Sequence, residues 1–422
     1  MNLYDELKYR GFIDNITSDQ LIEKLNTKSL CYYIGFDPSA DSFHIGQYAV
    51  FNLMRILSRH GHKTIALMGG ATGMIGDPSG KNKERNLLDE EQLQHNISRL
   101  EEQFKKFLDF SSSKTIILNN HDWLGKFSFL DFLRDVGKNF SVNTMIARDS
   151  VSSRLNREGE GITFTEFSYM ILQAYDFYYI NKNYDCSLQV GGSDQWGNIV
   201  SGIDLTRRLS GNEVYGLTIP LVTKSDGTKF GKSEGQAIWL SADKTPPYDL
   251  YQFLVRQSDE DVIKFLKVLT TLDKTEIESL EESVRSEPHL RRAQKRLAQE
   301  VVSTLHGEDV LAKILKAVEA IYSSEIVNID AQLIQDIFRD SPSFEIAFCK
   351  LDEGWQLINA LAESGLCDSK SKARKLIESG GFYLNNEKQT NVDINLTREN
   401  LLKDRFMVFR SGKKNYMLIK AH

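Results

Sequence analysis

The sequence predicts an α/β protein: a parallel sheet with helices on both faces, followed by a helical region and a small α+β module. Three observations predict it. Short apolar runs alternate with helical periodicity from residue 29 to about residue 210, Gly-rich loops follow several of those runs, and residues 352–422 combine helices with short strands. Alternating strands and helices are typical of parallel sheets, which bind ligands at the carboxyl ends of their strands.

The first part of the chain is divided by glycines and by changes in apolar period. Gly61 stops the first long helix, and the pairs Gly69-Gly70 and Gly191-Gly192 follow apolar runs that are predicted strands. The predicted strands cover residues 29–36, 63–68, 114–118, 187–190 and 217–222. The predicted helices cover residues 47–59, 87–108, 164–179 and 195–209.

The second part is predicted to be helical from about residue 246 to 323, and residues 323–351 are predicted to be a connector. In the tail, helices are predicted at 355–363 and 369–378, and strands at 382–384, 406–409 and 416–419. We therefore divide the chain into a catalytic domain (1–222), a loop and helical domain (223–322), a linker (323–351) and a C-terminal domain (352–422).

Composition excludes several classes of protein. With 422 residues, 41% of them hydrophobic, the chain has ample material for two or three folded domains. Its four Cys include no CxxC pair, which argues against a disulfide framework or a zinc site. The first residues lack the apolar segment of a signal peptide, and no apolar run is long enough to cross a bilayer. We expect a soluble, cytoplasmic protein.

Charge is distributed unevenly along the chain. The net charge is −6, but residues 352–422 carry a net +3, which leaves −9 for the rest. A basic module on an acidic body suggests a polyanionic partner, although charge alone favours the simpler explanation of a solvated surface with scattered Lys. The basic residues that we expect to contact RNA are those of the second tail helix and of a hairpin tip: Lys370, Lys372, Arg374, Lys375, Lys413 and Lys414.

Two basic motifs suit a phosphate chain. His44-Ile-Gly46-Gln47 opens a predicted helix, where free backbone N–H groups and a His donor favour an anion. Lys229-Phe-Gly-Lys232-Ser233 lies in a Gly-flanked segment. It is not a P-loop, because Asp226 stands where that motif needs Gly and no helix follows. Its two Lys would meet charge on a triphosphate; the alternative is an exposed basic turn.

Three further motifs indicate a ligand pocket. Five Gly between residues 69 and 80 suggest a backbone that lies against a ligand. Tyr169, Gln173 and Asp176 lie on one face of an apolar helix, which indicates either a hydrogen-bond network or a pocket for a small polar ligand. The segment from Gln189 to Asn198 follows a strand and contains Gly-Gly-Ser-Asp-Gln-Trp.

Taken together and in this order, the motifs resemble those of a known family. His-Ile-Gly-Gln at 44–47 resembles the HIGH signature, and Lys-Phe-Gly-Lys-Ser at 229–233 the KMSKS signature, of class I aminoacyl-tRNA synthetases. The segment 32–38, the row Tyr169/Gln173/Asp176 and Gly-Gly-Ser-Asp-Gln-Trp narrow the resemblance to the bacterial-type tyrosyl-tRNA synthetases. The tail resembles their S4-type RNA-binding domain. The resemblance covers essentially the whole chain and implies a Rossmann-like catalytic domain.

The resemblance also implies a role for each site residue. Tyr33 and Asp176 match the residues that bind the phenolic hydroxyl of tyrosine, and Asp77, Tyr169 and Gln173 those that hold its ammonium group. Positions around ATP or the adenylate are matched by Gly35, Asp37, Gly46, Gly192, Asp194 and Gln195. Groups on the ATP phosphates are matched by His44, Lys229, Lys232 and Ser233, and mobile-loop cations that reach the pyrophosphate are matched by Lys81 and Arg85. Gln47 can donate to ribose or phosphate. Two positions depart from the family pattern: Gln47 replaces the last His of HIGH, and Ile34 follows Tyr33 where many members have Cys.

The implied reaction joins L-tyrosine to ATP as tyrosyl-adenylate and then transfers tyrosine to the terminal adenosine of tRNA(Tyr). Mg²⁺ would accompany ATP, no metal is expected to be held by the protein itself, and a homodimer is expected. Three alternatives stay open: a tryptophanyl-type synthetase, a small nucleotidyltransferase with a similar His-x-Gly site, and an RNA-binding protein that keeps the fold without activity. The apolar segment 129–145 is either a dimer interface or core.

Overall fold

The computed structural model describes residues 1–79, 88–111, 114–148, 151–152, 155, 161–233, 236–320, 324–339, 341–412 and 415–422. They form two compact units, the first comprising residues 1–244 and 255–297 and the second residues 245–254 and 298–422. Within these described ranges, no helix has the combined length and apolarity needed to cross a membrane. The division into four segments made from the sequence stays a prediction.

Strands and helices alternate in the first unit, as the sequence predicts. Its strands are β1 (Asn15–Ile16), β2 (Cys31–Phe36), β3 (Lys63–Met68), β4 (Thr115–Asn119), β5 (Leu188–Gly192), β6 (Tyr215–Ile219), β7 (Lys232–Ser233) and β8 (Gln236–Ala237). The helices before residue 245 are α1 (Leu3–Arg10), α2 (Gln20–Thr27), α3 (Ile45–Arg59), α4 (Glu90–Phe107), α5 (His121–Leu124), α6 (Phe129–Asp135), α7 (Val142–Ile146), α8 (Phe164–Tyr184) and α9 (Trp196–Ser210). Strand β6 ends earlier than predicted because Pro220 cannot donate to the ladder.

The main sheet has the strand order β1-β6-β5-β2-β3-β4 in the described part of the chain. All of its neighbours are parallel except β1, which runs antiparallel to β6. The direction of winding reverses between β2 and β5, so the loops after these two strands diverge and leave a crevice at their carboxyl ends. This doubly wound, mainly parallel sheet confirms the predicted fold class.

Apolar side chains fill both faces of this sheet. On one face, Phe36 of β2 meets Phe51 of α3 and Phe104 of α4, with ring centroids 5.0–5.6 Å apart. On the other face, Tyr33 packs edge-on against Phe177 of α8, with centroids 5.3 Å apart. Successive side chains of a strand point to opposite faces, so β2 contributes to both layers while its carboxyl end stays open to the crevice.

The remainder of the chain is helical and then mixed. Its helices are α10 (Pro247–Val255), α11 (Asp259–Leu269), α12 (Lys274–Ser286), α13 (Arg292–His306), α14 (Glu308–Ala320), α15 (Ala331–Ile337), α16 (Phe348–Asp352), α17 (Leu357–Glu363) and α18 (Lys370–Glu378). Its strands are β9 (Ser343–Ile346), β10 (Trp355–Gln356), β11 (Phe382–Leu384), β12 (Glu387–Gln389), β13 (Asn395–Leu396), β14 (Phe406–Ser411) and β15 (Asn415–Ala421).

The stretch predicted as a connector contains regular structure. Strand β9 pairs in parallel with β15 and so forms the edge of the sheet β12-β11-β14-β15-β9. Phe344 and Ile346 of β9 pack into the same apolar cluster as Trp355, Phe382 and Phe409. The C-terminal sheet therefore begins before residue 352, because its edge strand is contributed by the segment that precedes the tail.

Candidate active site

A cavity of about 310 Å³ opens at the carboxyl ends of β2 and β5, where the winding of the sheet reverses. It brings together many of the residues singled out in the sequence: Tyr33, Ile34, Gly35, Asp37, Gln47, Asp77, Tyr169, Gln173, Asp176, Gly192, Asp194 and Gln195. Asn120, Thr72 and Gln189 line it as well. The cavity therefore combines polar groups with apolar wall, which suits a small ligand that carries both charged and apolar parts.

Asp176 and Tyr33 are fully buried in the cavity wall. Asp176 Oδ1 accepts from Trp123 Nε1 at 2.8 Å, and Oδ2 accepts from Asn120 Nδ2 at 3.0 Å. The hydroxyl of Tyr33 has no hydrogen-bond partner among the described residues. Its residue is only 1% exposed, so bulk solvent does not supply one either. A buried hydroxyl without a partner costs free energy, so this end of the cavity favours a ligand that carries a polar group.

Burial changes the acidity of both groups. It raises the pKa of Asp176 to about 7; the donors Asn120 and Trp123 oppose this, and the nearby charge of Asp37 adds to it. Burial, together with the proximity of Asp176, raises the pKa of Tyr33 well above its ordinary value. Tyr33 therefore remains a hydroxyl donor over the physiological pH range, and Asp176 titrates near neutrality in the unliganded protein.

A chain of amides holds the second carboxylate, Asp77. Gln195 Nε2 donates to Asp77 Oδ2 at 2.6 Å, and the backbone N–H of Ser79 donates to Oδ1 at 2.9 Å. Asn198 Nδ2 lies 3.1 Å from Gln173 Oε1 and 3.2 Å from Gln195 Oε1. This network connects the helices α8 and α9 to the loop after β3. It holds the side chains of Asp77, Gln173 and Gln195 around one side of the cavity.

Tyr169 and Asp37 meet across the cavity. The hydroxyl of Tyr169 lies 3.3 Å from Asp37 Oδ2, and Thr72 Oγ1 donates to Asp37 Oδ1 at 3.2 Å. Asp194 lies near Asp77, and burial together with that like charge raises its pKa, whereas Lys229 lowers it. Carboxylates of this density attract a cationic group, such as the ammonium of an amino acid.

The amino end of α3 differs from the expectation of free backbone N–H groups. The N–H of Ile45 donates to Ile238 O at 2.8 Å, that of Gly46 to His44 Nδ1 at 3.1 Å, and that of Gln47 to His44 O at 2.9 Å. The three first donors of this helix are thus already paired within the protein. Phosphate contacts at this point fall to side chains, and the prediction of backbone anion binding is wrong here.

The basic loop reaches the same region through a backbone ribbon. Ile238 and Leu240 exchange hydrogen bonds with Ile45 and Phe43, and His44 bridges Trp239. Lys232 is exposed on β7, which pairs with β8, and the side chain of Ser233 lies outside the described part. His44 is partly buried, and burial, followed by the charges of Lys232 and Lys229, lowers its pKa. The positive charges of both Lys therefore act on the imidazole of His44.

The glycines of the loop after β3 differ in their causes: Gly69 lines the cavity, whereas Gly70 and Gly73 have structural causes. A Cβ at Gly70 would lie 2.2 Å from Asn119 Oδ1, and one at Gly73 would lie 3.0 Å from Pro38 Cδ. These glycines therefore allow neighbouring side chains to approach the loop, and the interpretation of a backbone against ligand is wrong for both. Gly35 is different, because it lines the cavity and a Cβ there would meet no atom within 4 Å.

Eight further predicted residues lie either outside the described part of the chain or on the C-terminal helix α18. Lys81, Arg85, Lys413 and Lys414 lie outside the described residues. Lys370, Lys372, Arg374 and Lys375 lie on α18, where Lys372 pairs with Asp368 and Arg374 with Glu378. These surface pairs contribute little to stability and leave the helix with a net positive charge.

Sequence reasoning missed the residues that hold Asp176. Asn120 follows β4 directly, and Trp123 lies on α5 one turn later. The rule that ligands meet the carboxyl ends of parallel strands would have indicated Asn120, since β4 neighbours β3. Trp123 gives no such signal, because a single Trp on a short helix is usually core.

Comparison with known proteins agrees with this geometry. The family model of the class I tRNA synthetases (W and Y) matches residues 25–323, and that of the tyrosine–tRNA ligase SYY-like C-terminal domain matches residues 333–419. The tyrosine–tRNA ligase of Staphylococcus haemolyticus is 48% identical over 420 residues, 99% of this chain and 98% of the relative.

Solved structures agree with the sequence matches. The C-terminally truncated mitochondrial tyrosyl-tRNA synthetase of Aspergillus nidulans is 31% identical with a TM-score of 0.69, covering 76% of this chain and 94% of that one. Its Coccidioides posadasii counterpart is 30% identical with a TM-score of 0.64, covering 75% and 91%. A tryptophanyl-tRNA synthetase of Encephalitozoon cuniculi, at 14% identity and TM-score 0.53, shares the fold. The chain therefore belongs to the tyrosine–tRNA ligase family of class I tRNA synthetases.

Proposed function

We propose that this chain activates L-tyrosine with ATP, using the cavity between β2 and β5, and then transfers the tyrosyl group to tRNA(Tyr). One observation carries the choice of amino acid. The buried Tyr33 hydroxyl has no partner among the described residues and lines the same cavity as the Asp176 carboxyl group. A phenol both donates and accepts, so it would donate to Asp176 and accept from Tyr33.

Tryptophan fits this pair less well. An indole N–H donates but offers no lone pair for a hydrogen bond in the ring plane, so it would leave the Tyr33 hydroxyl without an acceptor. Phenylalanine offers neither group and would leave two buried polar side chains unpaired. The polar pair therefore favours tyrosine, in agreement with the 48% identical tyrosine–tRNA ligase.

The amino-acid backbone would occupy the acidic side of the cavity. Its ammonium group would lie among Asp77, Tyr169 and Gln173, which the network through Gln195 and Asn198 already holds in place. Its carboxylate is anionic at neutral pH and attacks the α-phosphorus of ATP directly, so this step needs no general base. Positioning and charge stabilisation would supply most of the catalysis.

ATP would bind as its magnesium complex, with the ribose and α-phosphate near Gly35, Asp37, Gly192, Asp194 and Gln195. The β- and γ-phosphates would meet His44, Gln47, Lys229 and Lys232, where positive charge stabilises the departing pyrophosphate. We also assign Ser233, Lys81 and Arg85 to this group on their sequence positions alone. Pyrophosphate leaves, and tyrosyl-adenylate stays bound.

The second half-reaction requires a nucleic acid. A hydroxyl of the terminal tRNA adenosine attacks the acyl carbon of the adenylate, and AMP leaves. The basic helix α18 of the C-terminal module, together with Lys413 and Lys414, is our candidate contact with the tRNA phosphates. We place this reaction in the cytoplasm.

The amino-acid assignment is tested by pyrophosphate exchange into ATP with each of the twenty amino acids in turn. Tyrosine alone should support exchange. Exchange with tryptophan would show that the chain activates tryptophan instead. Exchange with no amino acid would show that the chain keeps the fold but does not activate amino acids. A parallel measurement with tRNA(Tyr) transcript should show charging that depends on the C-terminal module.

We further propose a homodimer. Phe129 and Leu130 of α6 are 65% and 75% exposed, and Val142 of α7 is 57% exposed, whereas Val136 between them is buried. Exposed apolar side chains so close together are typical of an interface, and a second copy of the same surface would cover them. Leu130→Asp should shift the sedimentation coefficient from dimer to monomer, and an unchanged value would place the interface elsewhere.

A further inference from the structure

Helix α11 holds the chain on its way into the basic loop, residues 229–233. Asp261 Oδ1 accepts from the N–H of Ser225 at 2.7 Å, and Lys264 Nζ donates to the carbonyl oxygen of Thr223 at 2.7 Å. Asp261 is buried, so its contact is shielded from water, whereas Lys264 is exposed. Among the described residues that line the cavity, none belongs to α11, so these contacts lie outside the candidate site.

The contacts share one face of the helix. Asp261, Lys264 and Phe265 are three and four residues apart, a spacing that places their side chains on the same side of an α-helix. Phe265 packs against Phe230, which lies inside the basic loop, with ring centroids 4.2 Å apart. The same face of α11 therefore contacts both the approach to the loop and the loop itself.

The approach and the start of the loop form a short hairpin. Thr223 pairs with Lys229 in an antiparallel bridge. The N–H of Phe230 donates to the carbonyl oxygen of Val222 at 3.0 Å. Because the two arms are paired, contacts of α11 with Thr223 and Ser225 also restrict the position of Lys229.

The opposite end of α11 is attached to α3, which contributes Gln47 to the cavity wall. Asn52 Nδ2 of α3 donates to the carbonyl oxygens of Val268 at 3.0 Å and Thr270 at 2.8 Å. Arg10 Nη1 also donates to the carbonyl oxygen of Thr270, at 2.9 Å. Carbonyl groups at a helix end lack partners within the helix, so these donors satisfy them. Helix α11 thus connects the cavity wall to the basic loop through a segment of fixed length.

We propose that Asp261 and Lys264 are positioning residues for the basic loop. With the approach held by α11, Lys229 has fewer positions to sample, so less conformational entropy is lost when the loop meets the phosphates. Both residues act through the backbone of residues 222–230 rather than through the ligand. The inference rests on the proposed function for the identity of that ligand.

Asp261 also takes part in the cap of its own helix, and replacements separate the two roles. Ser258 Oγ accepts from the N–H of Asp261 at 3.2 Å and donates to Asp261 Oδ2 at 2.8 Å. Ser258→Ala is therefore the matched control, because it weakens the cap of α11 and leaves the contact with Ser225 in place. Asp261→Ala removes the acceptor for the Ser225 N–H. Asp261→Asn keeps an oxygen for that N–H and directs its amide group to the Ser258 hydroxyl, which can accept.

Lys264→Met removes the other contact with the approach. Its position is exposed, so this variant keeps the fold even where Asp261→Ala does not. It also keeps an unbranched apolar side chain of similar reach, so the loss is confined to the amino group that meets Thr223.

Hydrogen exchange of residues 222–230, followed by mass spectrometry without substrates, reports the contact itself. Exchange should be faster in Asp261→Ala than in the wild type, and close to the wild type in Asp261→Asn and Ser258→Ala. In single-turnover measurements, Asp261→Ala should lower the rate of adenylate formation about tenfold to hundredfold with the Kd for tyrosine unchanged. Lys264→Met should lower the same rate, and Asp261→Asn should recover most of it. Ser258→Ala should lower the Tm but not the rate.

A normal rate of adenylate formation in Lys264→Met, or in a folded Asp261→Ala, would overturn the proposal. An equal loss of rate in Ser258→Ala would do the same, because the helix cap rather than the contact with the approach would then be responsible. Failure of the proposed function looks different, since the wild type would then form no adenylate with tyrosine. Hydrogen exchange would still give its answer in that case, and unchanged exchange in Asp261→Ala would contradict the positioning role.

Discussion

Both carboxylate oxygens of Asp176 accept hydrogen bonds, from Asn120 and Trp123, before any substrate binds. Asp176→Asn keeps the shape of the side chain but replaces one acceptor by a donor. We expect tyrosine activation to fall about tenfold or more, which corresponds to the roughly 1.5–3 kcal/mol of a hydrogen bond to a charged group. Phenylalanine activation should change little, and kcat/KM for both amino acids measures the difference. Equal losses would make Asp176 a structural residue.

The raised pKa of Asp176 predicts a dependence of stability on pH. Its pKa is about 7 in the folded protein against an ordinary 3.8, so the folded state binds this proton more tightly than the unfolded state. The stability it contributes is fully present below about pH 3.8 and is lost as the pH rises through 7. We therefore expect the free energy of unfolding of Asp176→Asn, relative to that of the wild type, to be higher at pH 8 than at pH 5. Urea denaturation at the two pH values measures this difference. A difference that stays constant would contradict the raised pKa.

Lys232 tests a role confined to the transition state. Its exposed position on β7 suits a cation that meets charge only as pyrophosphate forms. Lys232→Ala should lower the single-turnover rate of adenylate formation by orders of magnitude and leave tyrosine affinity nearly intact. A variant that binds substrates poorly but reacts at the normal rate would refute this role.

A site residue could be predicted from the sequence only where it belongs to a recognisable pattern of residue types and spacing. Tyr169, Gln173 and Asp176 are polar side chains on an apolar helix face, so their spacing alone predicts a shared site, and the structure places all three on the cavity. Trp123 acts through a single N–H on a side chain that otherwise packs in the core. A contact of that kind depends on tertiary distance and leaves no periodic pattern.

Two glycines, Gly35 in β2 and Gly70 in the loop after β3, distinguish structural from ligand-driven causes. Gly70→Ala would put a Cβ 2.2 Å from Asn119 Oδ1, which should cost about 1–3 kcal/mol and lower the Tm. Gly35→Ala meets no protein atom within 4 Å, so it should leave the Tm nearly unchanged and raise the KM for ATP instead. Thermal unfolding and pyrophosphate-exchange kinetics of both variants test these two expectations. An unchanged Tm in Gly70→Ala would contradict the structural cause and favour contact of this loop with the ligand.

Helices and central strands were predictable because their apolar period is strong, and α3 and β3 lie within two residues of their predicted bounds. Strand β9 was not predicted, since its four residues alternate weakly and only Ile346 is buried. An edge strand of this length is defined by its partner β15, which is distant in sequence. For that reason the periodicity of residues 323–351 did not reveal the strand within the predicted connector.

At the scale of the whole molecule, the C-terminal module should be separable from amino-acid activation. Because β9 belongs to its sheet, a clean truncation ends near residue 323, and a cut at 350 would leave β9 without β15. The truncated protein should form tyrosyl-adenylate at a near-normal rate, because the residues that line the cavity all precede residue 220.

Charging of tRNA by that truncated protein should collapse, since losing several phosphate contacts costs orders of magnitude in affinity at moderate salt. Charging by the intact chain should also weaken with rising salt more steeply than pyrophosphate exchange does. Normal charging after truncation would show that the module is not required for tRNA binding. Loss of pyrophosphate exchange as well would show that the catalytic domain requires the module in order to fold or to function.

The parallel pairing of β9 with β15 has a consequence for synthesis on the ribosome. Ser343 pairs with Leu418, and Ile346 with Ala421. Strand β9 therefore cannot pair until β15 has been synthesised, which takes about 75 further residues. During that interval the nascent chain exposes the apolar side chains of β9 and an unpaired edge of β14. A stop codon that removed only β15 would leave both edges open, so a small loss of coding sequence should yield an aggregating product rather than a shorter working enzyme.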